Sequence, residues 1–112
     1  MPARNKSVYV VELSPNVLDE AAFLEANPHY TPGDESRECL YVGRTGLTPE
    51  ERFDRHLRGV QAGRRKFVMN YGLRLRPDLY EHLNPMTYEE VEITERTLAE
   101  ELRGEGYAVY QK

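Results

Sequence analysis

The chain has almost no cysteine, and this absence excludes several classes of protein. Cys39 is the only cysteine among the 112 residues, so neither an internal disulfide nor a thiolate metal site can form. A disulfide-stapled scaffold is therefore excluded and a zinc centre is disfavoured. A single thiol also fits a reducing compartment.

Long apolar runs are absent too. No stretch approaches the roughly 18 apolar residues that a membrane span needs. Residues 1–6 have neither the apolar core nor the small-residue cleavage site of a signal peptide. We therefore expect a cytoplasmic protein that does not enter the membrane. A chain of this length predicts one domain, residues 1–112, with an acidic insert at about residues 14–38.

Charge is unevenly distributed along the chain. The segment from Arg52 to Arg76 holds eight basic residues and one acid, a net +7 in a chain of net −4, so the rest carries −11. Such a stretch can form a basic face that meets phosphates, although arginines on helices and loops are also ordinary solvated surface. Besides Arg52, the candidate nucleic-acid-binding side chains are Arg55, Arg58, Arg64, Arg65, Lys66, Arg74 and Arg76.

Hydrophobic patterning predicts an α/β chain of the α+β type, in the order strand, insert, strand, helix, strand, helix. The strands are predicted at Val8–Leu13, Leu40–Val42 and Leu73–Arg76, with Tyr107–Tyr110 as a candidate edge strand. In the third strand, the alternation predicts leucines facing the core and arginines facing solvent. A short helix is predicted near Val17–Ala26 within the insert.

Capping signals mark two further helices. Thr48 with Pro49 and Glu51 predicts a helix start, and Thr87 with Glu90 predicts another, which runs to Arg103. In the first of these helices, the buried stripe is predicted to consist of Phe53, Leu57 and Val60.

Glu95 falls on the apolar stripe of the last helix. At 100° per residue it lies about 40° from Val91, in the sector that Leu98 and Leu102 also occupy. A carboxylate among apolar neighbours is costly unless it meets a cation, a metal ion or several donors. The alternative is that Glu95 lies at the edge of the stripe and reaches water.

Arg52 and His56 lie one turn apart on the preceding helix. A guanidinium that grips phosphate oxygens beside an imidazole that relays a proton suits phosphodiester chemistry. The same spacing also arises by chance on a polar surface.

Together these residues resemble the GIY-YIG nuclease superfamily. The resemblance is carried by Ser7–Tyr9, Tyr41–Thr45, Arg52, His56 and Glu95, in that order along the chain. It implies a small domain with a three-stranded mixed or antiparallel sheet flanked by helices. It further implies a divalent-metal-dependent endonuclease that hydrolyses DNA phosphodiester bonds, with DNA as its partner.

The resemblance implies a catalytic set of Tyr9, Tyr41, Arg44, Arg52, His56 and Glu95. Glu95 would hold a single Mg²⁺ or Mn²⁺ ion, which prefers carboxylate, water and phosphate oxygens. Arg52 would neutralise the scissile phosphate as charge builds. One of the two tyrosines would orient or deprotonate water, and a phenol of pKa about 10 needs a nearby cation, such as Arg44, to do so. His56 matches a position that holds histidine or tyrosine in the family.

Two further motif residues are structural, and some features depart from the family pattern. Gly43 and Thr45 belong to the second motif strand, where glycine permits close backbone approach. Ser7 replaces the usual glycine, and the insert lengthens the gap between the motif strands. The family's asparagine has no obvious counterpart; Gln111 is the nearest amide.

The sequence leaves two other functions open. One is a non-catalytic nucleic-acid-binding module of the same fold, and the other is a protein-interaction domain that uses the acidic insert. Because the domain is small, we also expect that a protein partner could direct it to its substrate.

Overall fold

The computed structural model describes residues 2–33, 36–61 and 65–111 and forms one α+β domain. Its strands are β1 (Ser7–Leu13), β2 (Cys39–Thr45), β3 (Gly72–Leu75) and β4 (Ala108–Gln111). Its α-helices are α1 (Ala21–Glu25), α2 (Pro49–Leu57), α3 (Phe67–Tyr71) and α4 (Tyr88–Gly104). Short 3-10 helices occupy Pro15–Asp19, Pro77–Leu79 and Glu81–Leu83.

The strands form one mixed sheet in the order β3-β1-β2-β4. β1 pairs antiparallel with both β2 and β3, whereas β4 pairs parallel with β2. The predicted three-stranded sheet is therefore one strand short. The fourth strand, β4, is the candidate edge strand predicted at Tyr107–Tyr110, displaced by one residue, and it lies at the edge of the sheet. It pairs in parallel with β2 because α4 carries the chain back along the sheet.

The two central strands carry the core. Every residue of β1 from Val8 to Leu13 is buried, and so is every residue of β2 from Cys39 to Gly43. A strand that is covered on both faces has a nearly continuous run of apolar residues instead of an alternating pattern. Val8–Leu13 has such a run.

The prediction for the buried face of α2 is wrong. Leu57, the last residue of the helix, is 42% exposed, and Val60, just beyond the helix, is 40% exposed. Arg52 and His56, by contrast, are only 8% and 2% exposed. Phe53 is half-buried. The helix turns its polar pair inward because that face lies against tyrosine side chains of the sheet, which give polar groups partners that an aliphatic core would not.

The prediction for β3 is wrong as well. Leu73 is exposed and Leu75 only half-buried. β3 lies at the sheet edge, and its pairing with β1 shifts register between Glu12 and Leu13, so simple alternation does not set its inner face.

The single helix predicted near Val17–Ala26 is divided in two. The 3-10 helix Pro15–Asp19 comes first, and Glu20 in extended conformation separates it from α1. Val17 and Phe23 are nevertheless fully buried. This part of the insert therefore belongs to the hydrophobic core.

The insert is also tied to β4. The side-chain oxygen of Asn27 accepts a hydrogen bond from the backbone nitrogen of Val109 at 2.7 Å, and its Nδ2 donates to the Phe23 carbonyl at 2.9 Å. The Phe23 ring meets Phe67 of α3 edge-on, with centroids 5.8 Å apart. The insert thus contacts both β4 and α3.

The last helix matches its prediction. Thr87 and Glu90 form a capping box in which each side chain binds the other's backbone nitrogen. The buried residues of α4 include Val91, Glu95 and Leu98. Glu95 therefore does lie on the buried stripe. Among the described helices, none combines the length and apolarity needed to cross a bilayer.

Candidate active site

Two tyrosines lie side by side on one face of the sheet. In the antiparallel register of β1 and β2, Tyr9 is opposite Gly43 and Val11 is opposite Tyr41. Paired residues share a face, so both phenol rings project from the same surface, with centroids 6.3 Å apart.

Gly43 makes room for the first of these rings. A Cβ atom at this position would lie 2.6 Å from the Tyr9 hydroxyl oxygen and 2.7 Å from Cζ. The ring therefore lies directly across the backbone of β2. Any side chain at position 43 would displace it, which is the physical reason for glycine in this motif.

Helix α2 brings an imidazole to the same surface. The helix starts at Pro49 because the Thr48 hydroxyl accepts a hydrogen bond from the backbone nitrogen of Glu51. Further along the helix, His56 Nε2 is 3.0 Å from the Tyr9 hydroxyl oxygen. The His56 ring also meets Tyr41, with centroids 5.8 Å apart.

Arg52, also on α2, joins the tyrosines to the loop that comes after the helix. Its guanidinium donates to the carbonyl oxygens of Val60, at 3.1 Å, and Gln61. It also lies close enough to the Tyr9 hydroxyl to lower the pKa of that phenol. Arg52 is thus a buried cation that is held in place by backbone carbonyls and directed at Tyr9.

Glu95 reaches the site from α4. The carboxylate accepts a hydrogen bond from Gln111 Nε2 at 3.2 Å, and the same oxygen lies 3.9 Å from Arg44 Nη1. Its negative charge raises the pKa of both Tyr9 and Tyr41. The carboxylate therefore acts electrostatically on the same hydroxyls that Arg52 and His56 approach.

Burial controls the protonation of the phenols. It raises the pKa of Tyr9 to about 12, an effect that Arg52 opposes and Glu95 reinforces. The pKa of Tyr41 is also raised, first by burial and then by the charges of Tyr9 and Glu95. Both hydroxyls are consequently protonated at neutral pH. A proton leaves either of them readily only when further positive charge arrives.

The structure brings together all six residues of the predicted catalytic set. Arg44 lies at the margin, where its guanidinium is 3.6 Å from Glu92 and 6.0 Å from the centre of the Tyr88 ring as well as near Glu95. Thr45 is not part of the cluster. Its hydroxyl accepts a hydrogen bond from the backbone nitrogen of Leu47 and shapes the turn into α2.

The predicted basic surface divides into two parts. Arg55, Arg58, Arg65 and Lys66 are exposed around the end of α2 and the start of α3. Arg58 forms an ion pair with Asp54 at 2.8 Å. Arg64 lies outside the described residues.

Arg74 and Arg76 form the other part, and they bind a protein carboxylate. Both donate to the buried Glu12, which alternation along β1 puts on the face opposite Tyr9. Arg76 also pairs with Asp78 at 3.0 Å. These two arginines stabilise the β3 edge of the sheet, and they do not extend the basic surface beside the tyrosines.

One contact in the site was not assigned from the sequence. Gln111 ends β4 and donates to Glu95, so its amide orients that carboxylate. The sequence signal was weak: Gln111 is the nearest amide to the expected asparagine, but only the parallel pairing of β4 with β2 brings it beside α4.

The carboxylate of Glu95 suits a hard divalent cation. In the part of the chain that the structure describes, no three histidine, cysteine, aspartate or glutamate side chains converge on one point. A single carboxylate fits an Mg²⁺ or Mn²⁺ ion whose other ligands are waters and phosphate oxygens. It does not fit a metal held by protein ligands alone.

The sequence matches no protein-family model, and no curated protein or solved structure matches the chain. The assignment of function therefore depends on the geometry of this site.

Proposed function

We propose that the protein is a divalent-metal-dependent endonuclease that hydrolyses DNA phosphodiester bonds through the GIY-YIG-type cluster. The observation that carries the proposal is the convergence of Tyr9, His56, Arg52 and Glu95 from three separate elements of the fold. A purely structural cluster has no need to bury a carboxylate, a guanidinium and an imidazole around two phenols, since buried polar groups are costly.

Each side chain has a distinct task in this proposal. Glu95, held by Gln111, would hold the cation, which would supply Lewis-acid stabilisation of charge on the phosphate. Arg52 adds a fixed positive charge where negative charge develops. Tyr9 orients the attacking water, and His56 accepts a proton through the 3.0 Å contact with the Tyr9 hydroxyl.

The raised pKa of Tyr9 is consistent with this division of labour. In the metal-free protein the phenol is held neutral by burial and by Glu95. A divalent cation held by Glu95 would supply positive charge near the same hydroxyl, which would lower the pKa of Tyr9.

A non-catalytic nucleic-acid-binding module is the second candidate. It is favoured by one observation, namely that the Arg52 guanidinium already donates to the carbonyls of Val60 and Gln61. An arginine held in this way can serve the fold alone. The two candidates differ in the effect expected from changing Glu95, which is essential for cleavage in the first and dispensable in the second.

Cleavage and binding by two site variants separate the candidates. We expect Arg52→Ala and Glu95→Ala each to reduce the single-turnover cleavage rate in Mg²⁺ about 100-fold or more, because both act on charge that develops in the transition state. Glu95→Ala should still bind DNA. Cleavage is measured on end-labelled DNA, and binding is measured by fluorescence anisotropy in chelator.

Matched controls come from the exposed face of α4. Arg96→Ala and Glu100→Ala remove the same charges from solvated positions on the helix that carries Glu95, so they should cleave as wild type does. Wild-type cleavage rates in Arg52→Ala or Glu95→Ala would contradict the catalytic proposal. Tight DNA binding by a wild-type protein that cuts under no divalent metal would establish the binding module instead.

A further inference from the structure

Three large apolar side chains are exposed beside the active site. Leu57 at the end of α2, Val60 just beyond it and Met69 on α3 form what we call the apolar ridge, and Leu57 and Met69 are each 42% exposed. Single exposed apolar side chains are ordinary on protein surfaces, but a group of them marks a contact surface.

Helices α2 and α3, which carry Leu57 and Met69, pack against each other. Met69 covers Gly59, where an added Cβ would lie 3.3 Å from both its sulfur and its methyl carbon. Gly59 has φ +79°, so a side chain there would be strained as well as crowded. Glycine at position 59 therefore leaves room for the Met69 side chain against the backbone between Leu57 and Val60.

The ridge is attached directly to the catalytic cluster. Arg52 donates to the carbonyl of Val60, which is itself a ridge residue, and to that of Gln61 next to it. The ridge therefore lies next to the guanidinium that the proposed function assigns to the scissile phosphate.

Basic side chains flank the ridge. Arg55 and Arg58 lie on and just after α2, and Arg65 and Lys66 immediately precede α3; all four are exposed. Positive charge around an apolar strip complements a chain that carries phosphates on its outside and flat apolar surfaces inside. A nucleic-acid strand with unstacked bases has this chemistry.

We propose that the apolar ridge receives unstacked bases, so that the substrate is DNA whose duplex is interrupted at the cut site by a fork, flap or gap. This inference rests on the proposed DNA cleavage. A continuous duplex offers phosphates and sugars to such a surface, which leaves the apolar side chains without a counterpart.

The test compares one forked duplex with one continuous duplex of equal length and base composition. Affinities are measured by fluorescence anisotropy in chelator, so that no cutting occurs, at one stated salt concentration. We expect the wild-type protein to bind the fork about tenfold more tightly than the duplex, which corresponds to about 1.4 kcal/mol. The double variant Leu57→Gln/Met69→Gln should lose this preference and retain its affinity for the continuous duplex.

The substitutions are chosen to leave the fold intact. Glutamine is close in size to both residues and is a good helix former, and both positions are exposed. Ile93→Gln on α4 is the matched control, because Ile93 is exposed but lies on a different helix, and it should keep the preference for the fork.

A 2-aminopurine base at the fork junction gives a second readout. Its fluorescence should rise when wild-type protein binds and change little with the ridge variant, because unstacking relieves quenching. Equal wild-type affinity for the two DNAs, or an undiminished preference in the ridge variant, would overturn the ridge assignment and leave the proposed cleavage standing. Failure of the wild type to bind either DNA would overturn both.

Discussion

Replacing Glu95 by glutamine separates a carboxylate kept for metal binding from one kept for structure. The substitution preserves shape and removes the charge. Glu95 is 3% exposed, and burying an ion costs several kcal/mol unless a partner compensates. One cation that can compensate is Arg44, whose Nη1 lies 3.9 Å from the carboxylate.

Arg44 is only a partial partner. Its side chain is 39% exposed and it also pairs with Glu92 at 3.6 Å, so it retains a carboxylate when Glu95 becomes neutral. Because the guanidinium is partly solvated and shared with Glu92, its pairing with Glu95 is comparable to that of an exposed ion pair, which contributes about 0–1 kcal/mol. The hydrogen bond from Gln111 becomes a neutral one, which costs about 1 kcal/mol. Relief of desolvation offsets these losses.

We therefore expect the free energy of unfolding of Glu95→Gln in chelator to lie within about 1 kcal/mol of the wild-type value or to exceed it. Denaturant melts followed by circular dichroism at pH 7 measure this. Glu92→Gln on the same helix is the control for loss of an exposed charge and should also change stability by less than about 1 kcal/mol.

A loss of about 3 kcal/mol or more would refute this reasoning. It would mean that Glu95 neutralises a buried cation, because removing one half of a buried ion pair costs about 3–5 kcal/mol. Arg52 is the buried cation whose charge acts on the same tyrosines. Glu95 would then be chiefly a structural residue.

Other contacts of the site and the sheet give three more testable expectations. Gly43→Ala should destabilise the fold by about 1–3 kcal/mol in denaturant melts, because the new methyl group would lie 2.6 Å from the Tyr9 hydroxyl; unchanged stability would contradict the close approach. The pKa of Tyr9 rises from about 10 in the unfolded chain to about 12 in the folded protein, so its contribution to the free energy of unfolding is complete below pH 10 and is lost as the pH rises towards 12. Over that pH range, the stability of Tyr9→Phe should therefore fall less steeply than that of wild type. Parallel curves of stability against pH would argue against the shift. Glu12→Gln should lower the free energy of unfolding by about 1–3 kcal/mol at neutral pH, because Arg74 and Arg76 lose their shared carboxylate. The exposed Glu100→Gln is the control and should leave stability unchanged. Denaturant melts that give the same stability for both variants would contradict this prediction.

Local signals were sufficient for the parts of the fold whose sequence and environment agree. The two threonine caps gave the starts of α2 and α4, because the hydrogen bond from an N-cap side chain joins near neighbours in the chain. Helical periodicity put Glu95 on the buried face of α4 for the same reason. The apolar run at Val8–Leu13 gave a central strand.

The errors arose where tertiary contacts override local pattern. On α2, the hydrophobic residues predicted a different buried face from the one observed. The helix directs Arg52 and His56 towards the sheet because Tyr9 lies there. No helical period contains that information. The same is true of Gln111, whose contact with Glu95 depends on the parallel pairing of β4 with β2.

The measurement that tests the central claim most directly is metal-dependent cleavage by the wild-type protein. Forked, flapped, nicked, single-stranded and continuous end-labelled DNAs are incubated with Mg²⁺, with Mn²⁺ and with chelator, beside Glu95→Gln under the same conditions. We expect new labelled fragments with either metal, none in chelator, and a cleavage rate lower by about 100-fold or more for Glu95→Gln. Intact DNA throughout, or equal cutting by wild type and Glu95→Gln, would contradict the proposed endonuclease activity.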